Sequence, residues 1–304
     1  MRSIGLDLGA RHIAYCEVRE GKVVDRTTVK SLSQLRSRIG PDSPPARVAF
    51  EACREGWHVH DRLAEWGHDP HMLDTTRIRQ IGVGQHKRKN DAIDAEAIAH
   101  AVDAGRLPEA HVLSPDRRAL REHLSVRGAL VETRSQYVTT IRGLMRARGV
   151  LLPTCSTGHF VEKLRSVEID ASTRSVIAPL VATLATLEME LGHAEEALAK
   201  LAEEEPIIKL CATVPGVGLI VATTFVSVID EAKRFRNAHA VGAYLGLVPG
   251  ESTTGGQRRL GGIACQLRDQ ENGRRRKRHR RNAQSHDRET SGFLQVSRQT
   301  LVIR

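Results

Sequence analysis

The sequence predicts an α/β domain built on a mixed sheet, followed by an all-α region and a basic, irregular tail. Three observations predict it. Strand-like runs separated by tight turns, then by short helices, fill the first 75 residues. From about residue 90 the apolar positions recur at helical spacing, in two long stretches. Beyond residue 263 the periodicity stops, and 11 Lys+Arg stand against 4 Asp+Glu. The whole chain of 304 residues carries +10, so residues 1–263 contribute only +3. The length allows two domains, and 40% hydrophobic with 27% charged residues is ordinary for a globular protein. Aromatics at 3% argue against the base-stacking platforms of single-strand binders. Five cysteines, an odd number without CxxC spacing, point to reduced thiols in a cytoplasm. With no apolar leader and no run near the 18 or so residues of a membrane span, a cytoplasmic, nucleoid-associated protein without membrane contact is expected.

Taken in order, "RSIGLDLG" reads as an apolar strand, "HIAYCEVR" as an alternating one, and "GKVVDRTTV" as a third after a Glu-Gly turn. "SLSQLRSRIG" has the serine start and glycine stop of a short helix. Residues 47–51 form a buried strand, "GWHVHDRLAEWG" a helix and "HDPHMLD" a further strand. Three consecutive antiparallel strands followed by α/β alternation is not a Rossmann order. Residues 116–150 then give a long helix with a basic outer face. Residues 172–204 give a second, with a leucine seam near heptad spacing that suits an antiparallel coiled coil with the first. Residues 205–249 read as a compact helical region.

Within "KNDAIDAEAIAH" (89–100), Asp91 and Asp94 fall on the same side of a helical wheel as Ile98, Ala101 and Val102. Glu96, His100 and Asp103 fall opposite. A helix N-terminus favours an acid and Asn90 can cap it, which explains Asp91 well and Asp94 poorly. Acids on a buried face need cations. Asp7 lies inside an apolar strand, and Glu51 closes another. Four carboxylates converging from two strands and a helix would suit Mg²⁺ or Mn²⁺, and two such ions serve in-line attack at a phosphodiester.

The set Asp7, Glu51, Asp91 and Asp94, with "KNDAIDAEAIA" in place of a Lys-x-Asp-x-x-Asp-Ala motif, resembles the DEDD transposases of the insertion-sequence 110 family. Residues 214–263 resemble that family's C-terminal transposase domain, so the likeness covers 1–263. It implies a ribonuclease-H-like (RuvC-like) domain over 1–105, a helical coiled-coil segment over 106–204 and a C-terminal domain over 205–263, with the basic tail over 264–304. It further implies DNA strand cleavage and rejoining with Mg²⁺, a structured non-coding guide RNA, and homodimers or tetramers. The family's serine nucleophile, five residues after the proline of "GLVPGESTTGGQRR", corresponds here to Thr254, with Ser252 as the alternative. A secondary alcohol is more hindered than serine's.

Candidate nucleic-acid contacts are Lys89 in the acidic motif, Gly216 and Gly218 in the "VPGVG" turn, and Lys233, Arg234 and Arg236 after it. Arg258 and Arg259 follow the hydroxyl-rich loop, and Arg274, Arg275, Arg276, Lys277 and Arg278 lie in the tail. The tail departs from the family pattern after "RRLGGI", and with Thr254 it supports an alternative: a catalytically decayed nucleic-acid-binding remnant. A weaker alternative, an actin-like ATPase, rests on "LDLGARH" alone. Cys53, His58, His60, His68 and His71 crowd together without standard zinc spacing and read as ordinary surface and core residues.

Overall fold

A computed structural model describes residues 1–78, 91–247, 249–254 and 257–263, and the chain divides into two units, Met1–Val112 and Leu113–Arg304.

In the first unit β1 (Arg2–Leu8), β2 (Ile13–Arg19) and β3 (Lys22–Val29) form an antiparallel meander. Glu20 and Gly21, both at positive φ, make the β2–β3 turn. α1 (Leu32–Ile39) starts at Ser31, whose side chain accepts from the Gln34 amide, and ends at Gly40. β4 (Ala46–Glu51) then runs parallel to β1, α2 (Gly56–Glu65) follows, and β5 (Asp69–Leu73) runs parallel to β4. The sheet order is β3-β2-β1-β4-β5. This is the mixed sheet read from the sequence, with its acids on the central strand and its parallel neighbour.

One face of the sheet packs Ile4, Leu6, Tyr15, Val48 and Phe50 against Leu35, Ile39, Val59 and Leu63 of α1 and α2. The other face, carrying Ala14, Cys16, Val18 and Ala49, receives α3 (Asp91–Asp103) through Ala95, Ile98, Ala99 and Val102. Residues 106–112 belong to this unit too: Asp74 donates its amide to the Pro108 carbonyl, and Ala110 donates to that of Met72.

In the second unit α4 (Pro115–Ala147) and α6 (Ala171–Glu203), 33 residues each, pack antiparallel. Ile177, Leu184, Leu191 and Leu198 recur every seventh residue on the buried side of α6. Ile177 and Leu184 face one core and Leu198 a second. Val138, Ile141 and Met145 line the one nearer the helix connection, while Leu120, Ile208 and Val226 line the other. Between them Arg127 reaches Glu195 at 2.7 Å and Arg134 reaches Glu188 at 3.2 Å, also seven apart on both helices. α6 departs from one expectation. It is long and apolar enough to cross a membrane by length and composition. Within it, Ile177, Leu184, Leu191 and Leu198 form the buried side, and Ala178, Ala182 and Ala185 are exposed.

A single 3-10 turn and α5 (Phe160–Arg165) cap the connection; α7 (Pro206–Ala212) and α8 (Leu219–Ile229) pack at the opposite end. α9 (Ala238–Tyr244) follows, started by Asn237. The segment expected as a flexible loop is instead an antiparallel hairpin, β6 (Pro249–Thr254) and β7 (Gln257–Ile263). Thr253 and Thr254 have the β-branched side chains that favour extended backbone. The C-terminal region is therefore not wholly helical. The tail, 264–304, lies outside the described residues.

Candidate active site

Glycine sets the geometry of the acidic site. A Cβ on Gly5 would lie 2.1 Å from the Ala95 carbonyl oxygen and 2.4 Å from the Ala99 nitrogen, so α3 rests directly on β1 at that point. At Gly9 a Cβ would stand 3.8 Å from Asp91 Oδ2, and Ser3 donates to Asp103 Oδ1 at 3.0 Å. These three contacts order α3 antiparallel to β1, with its N-terminus at the strand's C-terminal end. Side chains alternate along a strand. Asp7, between Gly5 and Gly9, therefore shares their face and sits under the first turns of α3.

Glu51 joins by register. Gly5 pairs with Ala49 and Leu6 with Phe50 across the parallel β1–β4 ladder. Ala49 packs with Ile98 and Val102, so Glu51, two residues on, lies on the same α3 side. Asp94 is 8% exposed, as the helical wheel places it, whereas Asp91, on the same side of the wheel, is open to solvent because it starts the helix. The wheel's opposite face is less solvated than expected: Glu96 is half-buried against Arg26 of β3, because α3 spans β1, β2 and β3 rather than one strand.

The carboxylates themselves are less gathered than their backbones. Among the described residues no three His, Cys, Asp or Glu side chains stand close enough together to hold a metal ion. Asp7, Glu51 and Asp94 each have an interaction of their own. The donor set still fits a hard divalent cation in its chemistry, being all carboxylate, on one face, from adjacent elements.

Sequence reasoning passed over Glu17, an acid of this unit with three side-chain donors. It is buried on β2 and accepts from Arg2 at 2.9 Å, Arg19 at 2.8 Å and the Tyr15 hydroxyl at 2.8 Å. Burial would raise its carboxyl, but these donors outweigh burial and hold it at about 2. Burial, then the bond to Glu17, pushes the Tyr15 phenol up. Glu17 is a structural anchor, and its only sequence signal was an acid at an inward strand position. The histidines settle as ordinary residues. His68 accepts from the Ala46 amide and donates to the Ile39 carbonyl at 2.6 Å, while His71 meets Asp69 and Glu109.

Of the expected nucleic-acid contacts, Gly216 sits at positive φ in the α7–α8 turn and Gly218 opens α8. Lys233 and Arg236 are exposed. Arg234 is not simply a phosphate ligand: it donates to the Ile229 carbonyl at 2.9 Å and lies over the Phe235 and Tyr244 rings. Ser252 and Thr254 lie on β6, facing Arg259 and Gln257 in register, and Arg258 pairs with Thr253. Lys89 and Arg274, Arg275, Arg276, Lys277 and Arg278 lie outside the described residues.

A five-stranded mixed sheet with acids on its central strand, the adjoining parallel strand and the helix crossing them has the strand order of a ribonuclease-H-like domain. Comparison with known proteins makes this specific. Residues 4–148 match the family model of DEDD transposases of IS110 type, and residues 208–272 match that of the transposase IS116/IS110/IS902 family. A probable family 20 transposase of Pseudomonas aeruginosa is 30% identical over 86% of this chain and 78% of its own length. The transposase for insertion sequence element IS1328 of Yersinia enterocolitica is 28% identical over 86% of this chain and 78% of its own. The transposase for IS1111A of Coxiella burnetii is 23% identical over 87% and 73%. The chain belongs to the IS110-family DEDD transposases. Its substrate is accordingly DNA, and the family uses divalent metal in general.

Proposed function

We propose that this transposase cuts and rejoins DNA strands at an acidic site of Asp7, Glu51, Asp91 and Asp94, with a hydroxyl of the C-terminal hairpin as nucleophile. The observation that carries this is the shared face: β1, β4 and α3 bring four acids to one side of one sheet end. Held there by these carboxylates, Mg²⁺ or Mn²⁺ would neutralise charge developing on the phosphodiester. Asp94, buried and fixed by the helix, and Asp7, fixed by the central strand, would hold the ion that offsets the charge of the scissile phosphate. Asp91 and Glu51 border the open side.

Thr254 supplies the attacking hydroxyl, with Ser252 as the alternative on the same strand. Its oxygen loses a proton and bonds to phosphorus, the bond to the departing strand breaks, and that strand's oxygen gains a proton. The cut strand stays attached to the protein until a second strand's hydroxyl reverses the step. Gly216, Gly218, Lys233, Arg236, Lys89, Arg258 and Arg259, and the tail arginines, hold phosphates. The resemblance extends the proposal to a structured guide RNA and to homodimers or tetramers in which the hairpin of one protomer serves the acids of another.

Mixing Asp7→Ala and Thr254→Ala proteins tests both halves together. Each alone is expected to lack strand cleavage, and the mixture to recover it. Cleavage by Thr254→Ala alone would remove Thr254 and leave Ser252. Cleavage by Asp7→Ala alone would remove the acidic site.

A further inference from the structure

The protein is poor in aromatic residues, with two Trp, three Tyr and five Phe, yet two of them meet beside exposed cations in the C-terminal module. Phe235 and Tyr244 stack edge-on with centroids 5.2 Å apart. The Arg234 guanidinium lies 5.1 Å from the first ring centre and 5.3 Å from the second, tied down by the Ile229 carbonyl. A guanidinium pinned in this way holds both rings in place. Half of Tyr244 is nonetheless open to solvent, at 50% exposure. The helix that carries it, α9, has no buried residue at all.

An exposed, pre-positioned ring on a helix without a fully buried residue belongs to none of the core clusters among the described residues. Lys233 and Arg236 flank the cluster and are exposed, so what covers it carries negative charge. A duplex offers phosphates but hides the faces of its bases. An unpaired nucleotide offers both a phosphate and an open π-face.

We propose that Tyr244, backed by Phe235 and Arg234, is a stacking platform for an unpaired base of a DNA strand, with Lys233 and Arg236 on the adjacent phosphates. Its position suits strand transfer, because β6, with Ser252 and Thr254, begins five residues after Tyr244. The proposal rests on DNA as the substrate and not on which hydroxyl attacks.

Site-specific photocrosslinking of the full-length protein tests it. A single-stranded DNA carrying 5-iododeoxyuridine is irradiated and the adduct mapped by mass spectrometry. The expected adduct lies on Tyr244 or Phe235. In parallel, anisotropy of a labelled single strand should show Tyr244→Ala weakening binding by roughly 5- to 150-fold, the loss of one stacked base. Its salt slope should stay unchanged and Tyr244→Phe should retain affinity. A duplex of the same length should bind both proteins equally. Adducts formed only outside residues 232–245 would overturn the proposal. So would equal losses on single strand and duplex, or a loss confined to an RNA oligomer. Strand cleavage retained by Thr254→Ala, with an intact Tyr244 adduct, would refute the nucleophile and leave the platform standing.

Discussion

Gly5→Ala is the sharpest perturbation the fold offers. A Cβ there would stand 2.1 Å from one backbone atom of α3 and 2.4 Å from another. A carbon and a carbonyl oxygen need about 3.2 Å, so α3 must lift by about 1 Å along its middle. Neither neighbour is a flexible side-chain tip, so nothing cheaper can yield. The displaced helix buries Ala95, Ile98, Ala99 and Val102. The cost belongs at the upper end of overpacking, about 3 kcal/mol. Both tryptophans, Trp57 and Trp66, lie in the first unit, so fluorescence follows its unfolding in urea separately from the long helices. Gly128→Ala in α4 is the control: nothing lies within 4 Å of a Cβ there. It should stabilise its helix, followed by circular dichroism, by about 0.5–1 kcal/mol. If Gly5→Ala unfolds with the wild-type fluorescence midpoint and slope, the close seat of α3 on β1 is wrong, and the convergence of Asp7 with Asp91 and Asp94 goes with it.

Glu17 makes the first unit acid-sensitive in a defined window. Its folded carboxyl is held at about 2 against an ordinary 4.5, so its stabilisation is complete above about pH 4.5 and is lost as pH falls toward 2. Fluorescence-monitored urea melts of wild type and Glu17→Gln should differ by about 2–3 kcal/mol at pH 6 and converge near pH 2. In the long helices, Arg134→Glu should lower stability by about 1 kcal/mol, and adding Glu188→Arg should restore most of it, as read by circular dichroism at two salt concentrations. Deleting residues 273–288 should reduce the salt dependence of DNA binding; an unchanged slope would show that this run touches no phosphate.

The first unit was legible because its signals are local. Period-two alternation, the Glu-Gly turn and the serine and glycine of α1 each specify their own element. Asp7 and Asp94 stood out as charges at apolar positions. What the sequence hid was contact between distant parts. Nothing near Gly5 says that a helix ninety residues on will press against it. Nothing near Glu17 says that Arg2, Tyr15 and Arg19 will surround it. The hairpin of 249–263 was missed for another reason. Its "STTGGQRR" has the composition of a loop, and only pairing between Ser252–Thr254 and Gln257–Arg259 makes it a sheet. The leucine seam, by contrast, was readable in outline, since a repeat near seven residues is itself a statement about a partner helix.

The bond between Ser3 and Asp103 spans a separation of 100 residues. A ribosome adding about 5–20 residues per second takes about 5–20 s to cover that stretch. For that interval the nascent meander shows the face bearing Gly5, Ala14, Cys16 and Val18 without its covering helix. The unit that carries the acidic site therefore closes only when α3 emerges, after the last of its own strands.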